Sequence, residues 1–143
     1  MTLEQLPEWA REMLGAARVG HLGLLDEGDH PRVLPVTFTV AEDCVWSAID
    51  SKPKRAGEPA RVRRLRRRPA AALLVDRYDD DWSRLAWVEV RGAVSMLGPE
   101  EAPEALEALV AKYPQYAAQR PQGPLLRLAP ERHACWRAAE PGT

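Results

Sequence analysis

The sequence predicts a mainly β, α+β domain: a barrel of six or seven mostly antiparallel strands with helices at its periphery. Three observations lead there. The 143-residue chain suits one compact domain spanning residues 1–143, long enough to bury a core. Its β-type runs succeed one another by short turns, which favours antiparallel pairing. A sheet of that size in so small a domain removes its exposed edges by curling.

Each element has its own warrant. Residues 2–14 are expected to form a helix, with Thr2 and Gln5 as a capping box and Leu6, Trp9, Met13 and Leu14 at helical spacing. Val19, Leu22, Leu24 and Leu25 lead into the turn DEGDHPR, and Val33 to Val40 resumes in β-branched residues, a hairpin. Cys44 to Ile49 reads as a third strand. Pro53, Gly57 and Pro59 then break the chain into a loop, but nothing interrupts a helix from Glu58 to Arg67, where Pro59 suits the first turn and Pro69 is the stop. Ala70 to Asp76 is a fourth strand, small and apolar enough to be buried on both faces. In Leu85 to Leu97, Val88, Val90, Gly92 and Val94 alternate with Trp87, Glu89, Arg91 and Ala93, a β signature. PEEAPEALEALVAKY is a helix with acids in its first turn and a lysine near its end, matching its dipole. PQGP is a turn, and Leu125 to Leu128 and His133 to Ala138 are closing strands.

Composition narrows the function classes. The hydrophobic fraction of 45% and charged fraction of 29% read as soluble and globular. The pI near 6.3 argues against a wholesale nucleic-acid binder. The N-terminus lacks a signal-peptide core, and no run approaches the ~18 apolar residues of a membrane span. A cytoplasmic location is expected, with Cys44 and Cys135 as buried thiols.

Charge is sorted sharply. The segment KPKRAGEPARVRRLRRR, Lys52 to Arg68, holds nine of the chain's 20 Lys and Arg and one acid, Glu58, a formal +8. The chain as a whole is at −1, so the remainder carries −9. Such sorting calls for an anion. Arg61, Arg64 and Arg68 fall on one helical face and Arg63, Arg66 and Arg67 on another. For the last three arginines a solvated face with intrachain partners stands level with a ligand role. Lys52, Lys54 and Arg61 are the better anion candidates, the lysines in a stiffened loop after a strand and helped by the dipole of the next helix. The segment contains no aromatic to stack on bases, so a phosphorylated small molecule fits it better than a nucleic acid.

No Ser-His-Asp order, HExxH, paired Cys/His spacing or Walker loop is present, so neither a catalytic side chain nor a metal site is expected. His21 reads as a core histidine in a strand. His30 sits in a turn. His133 is a weak candidate to face a ligand. Asp79, Asp80 and Asp81 read as a solvated loop, with metal binding the lesser alternative.

From Arg18 to Leu97 the chain resembles the pyridoxamine-phosphate-oxidase-like family of split β-barrel flavoproteins, and within it the branch of deazaflavin (coenzyme F420)-dependent enzymes. ARVGHLGLLDEGDHPRVLPVTF is similar to the family's opening hairpin, WSAIDSKPKR to its third strand and Lys-Pro-Lys loop, and RVRRLRRRPAAALLVDRYDDDWSRLAWVEVRG to its Arg-Leu-rich helix and the next two strands. Two departures stand out: Arg64 replaces the family's usual Asn, and the turn carries one residue more than usual between Gly28 and Pro31.

The resemblance implies an FMN-binding split-barrel fold and a homodimer with cofactor sites at its interface. The cofactor ring is expected against Leu34, Pro35, Val36 and Thr37, and its phosphate tail towards Ala48, Ile49, Lys52, Lys54, Arg55, Arg61 and Arg64. Trp82 and Trp87 are then walls beside a flat heterocycle; as single residues they read equally well as core. The cofactor supplies the hydride chemistry and the protein supplies grip and orientation. The implied activity is F420-dependent reduction of a small organic acceptor. FMN is the alternative cofactor, giving an oxidase or a flavin reductase. A non-catalytic cofactor-binding protein is the alternative of another class. No nucleic-acid or membrane partner is expected.

Overall fold

The computed structural model describes residues 2–49 and 58–138. Among these residues seven strands form one antiparallel sheet: β1 (Gly20–Leu25), β2 (Pro31–Val36), β3 (Thr39–Ala41), β4 (Cys44–Ala48), β5 (Ala70–Arg77), β6 (Ala86–Leu97) and β7 (Leu125–Arg137). The helices are α1 (Glu8–Ala16), α2 (Ala60–Arg67), α3 (Pro103–Lys112) and α4 (Pro114–Ala118).

The sheet order is β2-β1-β5-β6-β7-β4-β3. Its two outermost strands are therefore consecutive in sequence, joined only by Thr37 and Phe38. So short a link brings the two edges together, and the sheet curls into a barrel with a seam at these residues. Phe38 plugs the seam from inside and is fully buried. This is the expected α+β split barrel.

Inside the barrel, Leu22, Leu24, Val36, Leu73, Val75, Val88, Val90 and Leu128 pack with Leu6, Ala10 and Leu14 from the N-terminal segment and with Val62 and Leu65 of α2. A second apolar cluster lies under α3, where Ala102, Ala105, Leu109 and Tyr113 recur at helical spacing over Trp46, Ala48 and Leu125. Long β6 and β7 carry the frame. Their register slips between Arg91 and Gly92, so that Gly92 opposes Pro130. A Cβ on Gly92 would stand 1.8 Å from the Ala129 carbonyl oxygen, so only glycine fits at this bulge.

The departures from expectation have local causes. Pro7 divides the first helix into a turn at Leu3–Gln5 and α1, although Gln5 Oε1 does accept the Thr2 N–H at 3.2 Å. Pro103 divides the third helix likewise, leaving a turn at Pro99–Glu101 before α3. Val33 to Val40 is two strands, because the chain leaves β2 at Val36 to cross the seam. β5 is buried on one face only, with Leu74 38% exposed on the other. The two closing strands are one continuous β7. His21 is exposed on the outer face of β1, opposite Pro35 and Leu74, and is not a core residue.

Candidate functional site

Two regions gather the polar groups that could meet a ligand. The first is α2 and its surroundings. Pro59 stands at the N-cap, and Val62 and Leu65 anchor the helix to the barrel. This aims six arginines outward and around, and each finds a partner within the chain. Arg64 Nε meets Glu27 Oε1 at 3.2 Å, Arg68 meets Asp29 Oδ2 at 2.9 Å, and Arg67 reaches Asp29 at 3.8 Å and the Asp26 carbonyl at 3.2 Å. Arg66 pairs with Glu58 at 2.9 Å, and Arg63 donates to the Glu58 carbonyl at 2.7 Å. Arg61 donates to the Ala48 carbonyl at 3.4 Å. The faces differ from the expected split: Arg67 joins Arg64 and Arg68, because all three reach the β1–β2 turn.

That turn is shaped to receive them. Asp26 Oδ1 accepts the N–H groups of Gly28 (2.9 Å) and His30 (3.0 Å), and Asp29 sits in the left-handed region at φ 61. The extra turn residue thus presents a carboxylate to two arginines. The His30 N–H is the main reason the Asp26 carboxyl lies below its ordinary range. Glu27 is also held down, chiefly by its own backbone N–H and then by Arg64.

The second region is the barrel seam. Tyr113, at the end of α3, is buried, and its hydroxyl is fully engaged. It accepts the Phe38 N–H at 3.0 Å and lies 2.9 Å from the Phe38 carbonyl and 3.0 Å from that of Arg18. Burial pushes its hydroxyl pKa up. Arg18 lies over the Tyr113 ring, 5.6 Å from its centroid, and donates to the Lys112 carbonyl at 2.8 Å. Thr37 Oγ1 and Tyr116 Oη are 2.7 Å apart. Lys112 Nζ is buried with no hydrogen-bond partner among the described residues, 4.1 Å from the Phe38 ring centroid. Desolvation, reinforced by Arg18, brings its pKa down to about 8.

The expected ring residues lie on the outermost strand and the seam. Leu34 is half-buried, Pro35 exposed, Val36 buried, and Thr37 faces Tyr116. Ala48 and Ile49 are buried, and their backbone is already engaged: the Ala48 carbonyl accepts from Arg61 and the Ile49 N–H donates to the Pro124 carbonyl at 3.2 Å. Lys52, Lys54 and Arg55 lie outside the described residues. Trp82 is 72% exposed in a turn before β6. Trp87 is half-buried on the outer face of β6, opposite Trp136 of β7, itself 47% exposed. Val33, Pro35, Leu74 and Trp136 are exposed apolar positions on the outer face of the barrel, set among His21, Asp76, Glu89 and Arg91.

Sequence reasoning missed Arg18, Tyr113 and Tyr116. The spacing of the two tyrosines on either side of Pro114 was the available signal, but their meeting with Thr37 depends on the seam. The aspartates of the Tyr78–Trp82 connection cap their own turn: Asp79 accepts the Asp81 N–H at 2.8 Å, and Asp81 accepts from the Ser83 hydroxyl at 2.6 Å. His133 Nε2 is buried without a partner among the described residues.

Comparison with known proteins adds the lineage. Residues 7–134 match the family model described as pyridoxamine 5'-phosphate oxidase. A search of curated protein sequences finds no match. Among solved structures, the chain is similar to a conserved hypothetical protein of Mycobacterium tuberculosis, at TM-score 0.74 and 17% identity over 92% of this chain and 85% of that one. It is similar to a FAD-binding protein of Mesorhizobium loti, at TM-score 0.68 and 17% identity over 94% and 96%. It is also similar to a protein titled F420 reductase, at TM-score 0.65 and 18% identity over 90% and 98%. At these identities the likeness is one of fold.

Proposed function

The chain belongs to the pyridoxamine 5'-phosphate oxidase family, and from that premise we propose that it binds coenzyme F420 and reduces a small organic acceptor. The observation that carries this reading is the position of β2. It is the first strand in the sheet order, so one of its edges has no strand partner among the described residues. Along Leu34 to Val36 the backbone groups that point away from β1 are therefore available to the polar rim of a flat heterocycle, while the Thr37 carbonyl is taken by the Ser47 hydroxyl at 2.7 Å. Pro35 stands exposed there. Lys52, Lys54, Arg55 and Arg61 would hold the anionic tail. The bound cofactor supplies the hydride; these residues grip and orient it, and no side chain is asked to donate or accept a proton. Arg64, paired with Glu27, would act only by exchanging that partner.

We place the homodimer contact on the outer face bearing Val33, Leu74 and Trp136, whose burial by a second copy would favour association. A second copy seated there would cover Trp87 and wall the cofactor sites. A clean monomer at micromolar concentration would count against this arrangement.

The test is titration of the purified protein with each cofactor. Quenching of F420 fluorescence to a saturable end point, then turnover of a hydride acceptor, is the expected result. Preferential binding of FMN would move the assignment to a flavin oxidase or reductase. Tight F420 binding with no turnover of any acceptor would mark a cofactor-binding protein without catalysis.

A further inference from the structure

The seam carries a cavity of about 520 Å³ lined by Arg18, Thr37, Tyr113, Pro114, Gln115 and Tyr116. That volume suits a small organic molecule. Its chemistry is one-sided. Among the described residues Arg18 is the charged lining residue, and no carboxylate lines the cavity. Neither Arg18 nor neighbouring Lys112 has an acidic partner among the described residues, whereas the arginines of α2 share Glu27, Asp29 and Glu58. Arg18 is exposed and spends one N–H on the Lys112 carbonyl, which leaves the rest of its guanidinium fork for a ligand.

Two further features choose the ligand's shape and charge. The rings of Tyr113 and Tyr116 meet edge to face, with centroids 5.6 Å apart and planes at 71°, and form an aromatic corner that a flat molecule can enter. Thr37 and Tyr116 share one hydrogen bond between two hydroxyls, so whichever donates, the other keeps a free O–H to give. The Tyr113 hydroxyl is already engaged by Phe38 and Arg18 and has nothing to add.

We propose that this seam cavity binds a small planar carboxylate: its anionic group on the Arg18 guanidinium and the spare hydroxyl of the Thr37–Tyr116 pair, its flat body against the tyrosine corner. The site shares Thr37 with the expected ring site, but its binding requires no cofactor, so it is tested with none present.

The experiment is calorimetric titration of the purified protein, with no cofactor added, using benzoate and trans-cinnamate as probes and benzamide as the neutral control. The two carboxylates are expected to bind saturably at one site per chain, and benzamide at least ~10-fold more weakly, as loss of a charge-assisted bond implies. Arg18→Gln is expected to weaken cinnamate by ~10-fold or more, and the double variant Thr37→Val/Tyr116→Phe by a smaller factor of ~3–10. Should Arg18→Gln fail to fold because its hold on Lys112 is lost, the double variant, which leaves that contact alone, decides the matter. Equal binding of benzamide and benzoate, or full cinnamate affinity in the folded variants, overturns the proposal. Displacement of bound cinnamate by F420 or FMN overturns it as a separate site and merges the cavity with the ring site.

Discussion

The six arginines of α2 and the single Arg18 at the seam make opposite use of the same side chain. On α2, charge is dense, and five of the six arginines are spent on Glu27, Asp29, Glu58 or nearby carbonyls, with Arg61 on the Ala48 carbonyl. At the seam one arginine stands over a tyrosine with no acid beside it among the described residues. The density of like charge along a chain therefore says little about the charge left for a ligand. What matters is which acids the fold brings within reach.

The contrast can be broken first at the seam, where the largest effect is expected. Tyr113→Phe removes the acceptor of the buried Phe38 N–H, and an orphaned buried donor costs about 1–3 kcal/mol. Chemical denaturation should show that loss, and an unchanged midpoint would mean that water or another group satisfies Phe38.

The second effect is a pH dependence from Lys112. Its folded pKa, about 8, lies below the ordinary 10.5. Between these values the unfolded chain holds a proton that the folded chain has released, so stability rises as pH climbs from about 8 to 10.5. Below about 8 both states are protonated and the burial penalty is fully present. Lys112→Met should flatten that rise in denaturation midpoints; a variant that keeps the full slope would assign it elsewhere.

The smallest effect is expected on α2. Asp29→Asn removes the shared partner of Arg67 and Arg68, both about half exposed, so the loss should stay within ~1 kcal/mol. Its informative readout is retention on an anionic resin, which should increase as the two guanidinium groups are freed. Unchanged retention would mean that these pairs do not neutralise the helix.

How far each feature could be read from the sequence depends on the range of the interactions involved. The strand alternation of Val88, Val90 and Val94 and the helical spacing of Val62 and Leu65 are local patterns, and the barrel is built from them. Pro7 and Pro103 interrupt apolar periodicity, and the helices break there although the apolar spacing runs on. The pairing of Arg64 with Glu27 and of Arg68 with Asp29 joins residues 37 and 39 positions apart, which no periodicity reports. The seam is further still from local pattern: Thr37 meets Tyr116 across 79 positions because the first and last strands of the sheet are neighbours in the chain. His21 is out of phase with Leu22 and Leu24, so alternation itself puts it on the exposed face of β1, against the reading of it as a core residue.

The proposal most directly at stake is that Lys52 and Lys54, and not the paired end of α2, would hold the cofactor's anionic tail. F420 affinity measured by fluorescence quenching in three proteins tests it: the natural chain, Lys52→Ala/Lys54→Ala, and Arg66→Gln/Arg67→Gln/Arg68→Gln. The lysine variant is expected to lose ~1–3 kcal/mol per charge-assisted bond removed, ~10-fold or more in Kd, while the arginine variant stays within about twofold. Full affinity without the two lysines, or its collapse without the three arginines, would contradict the account.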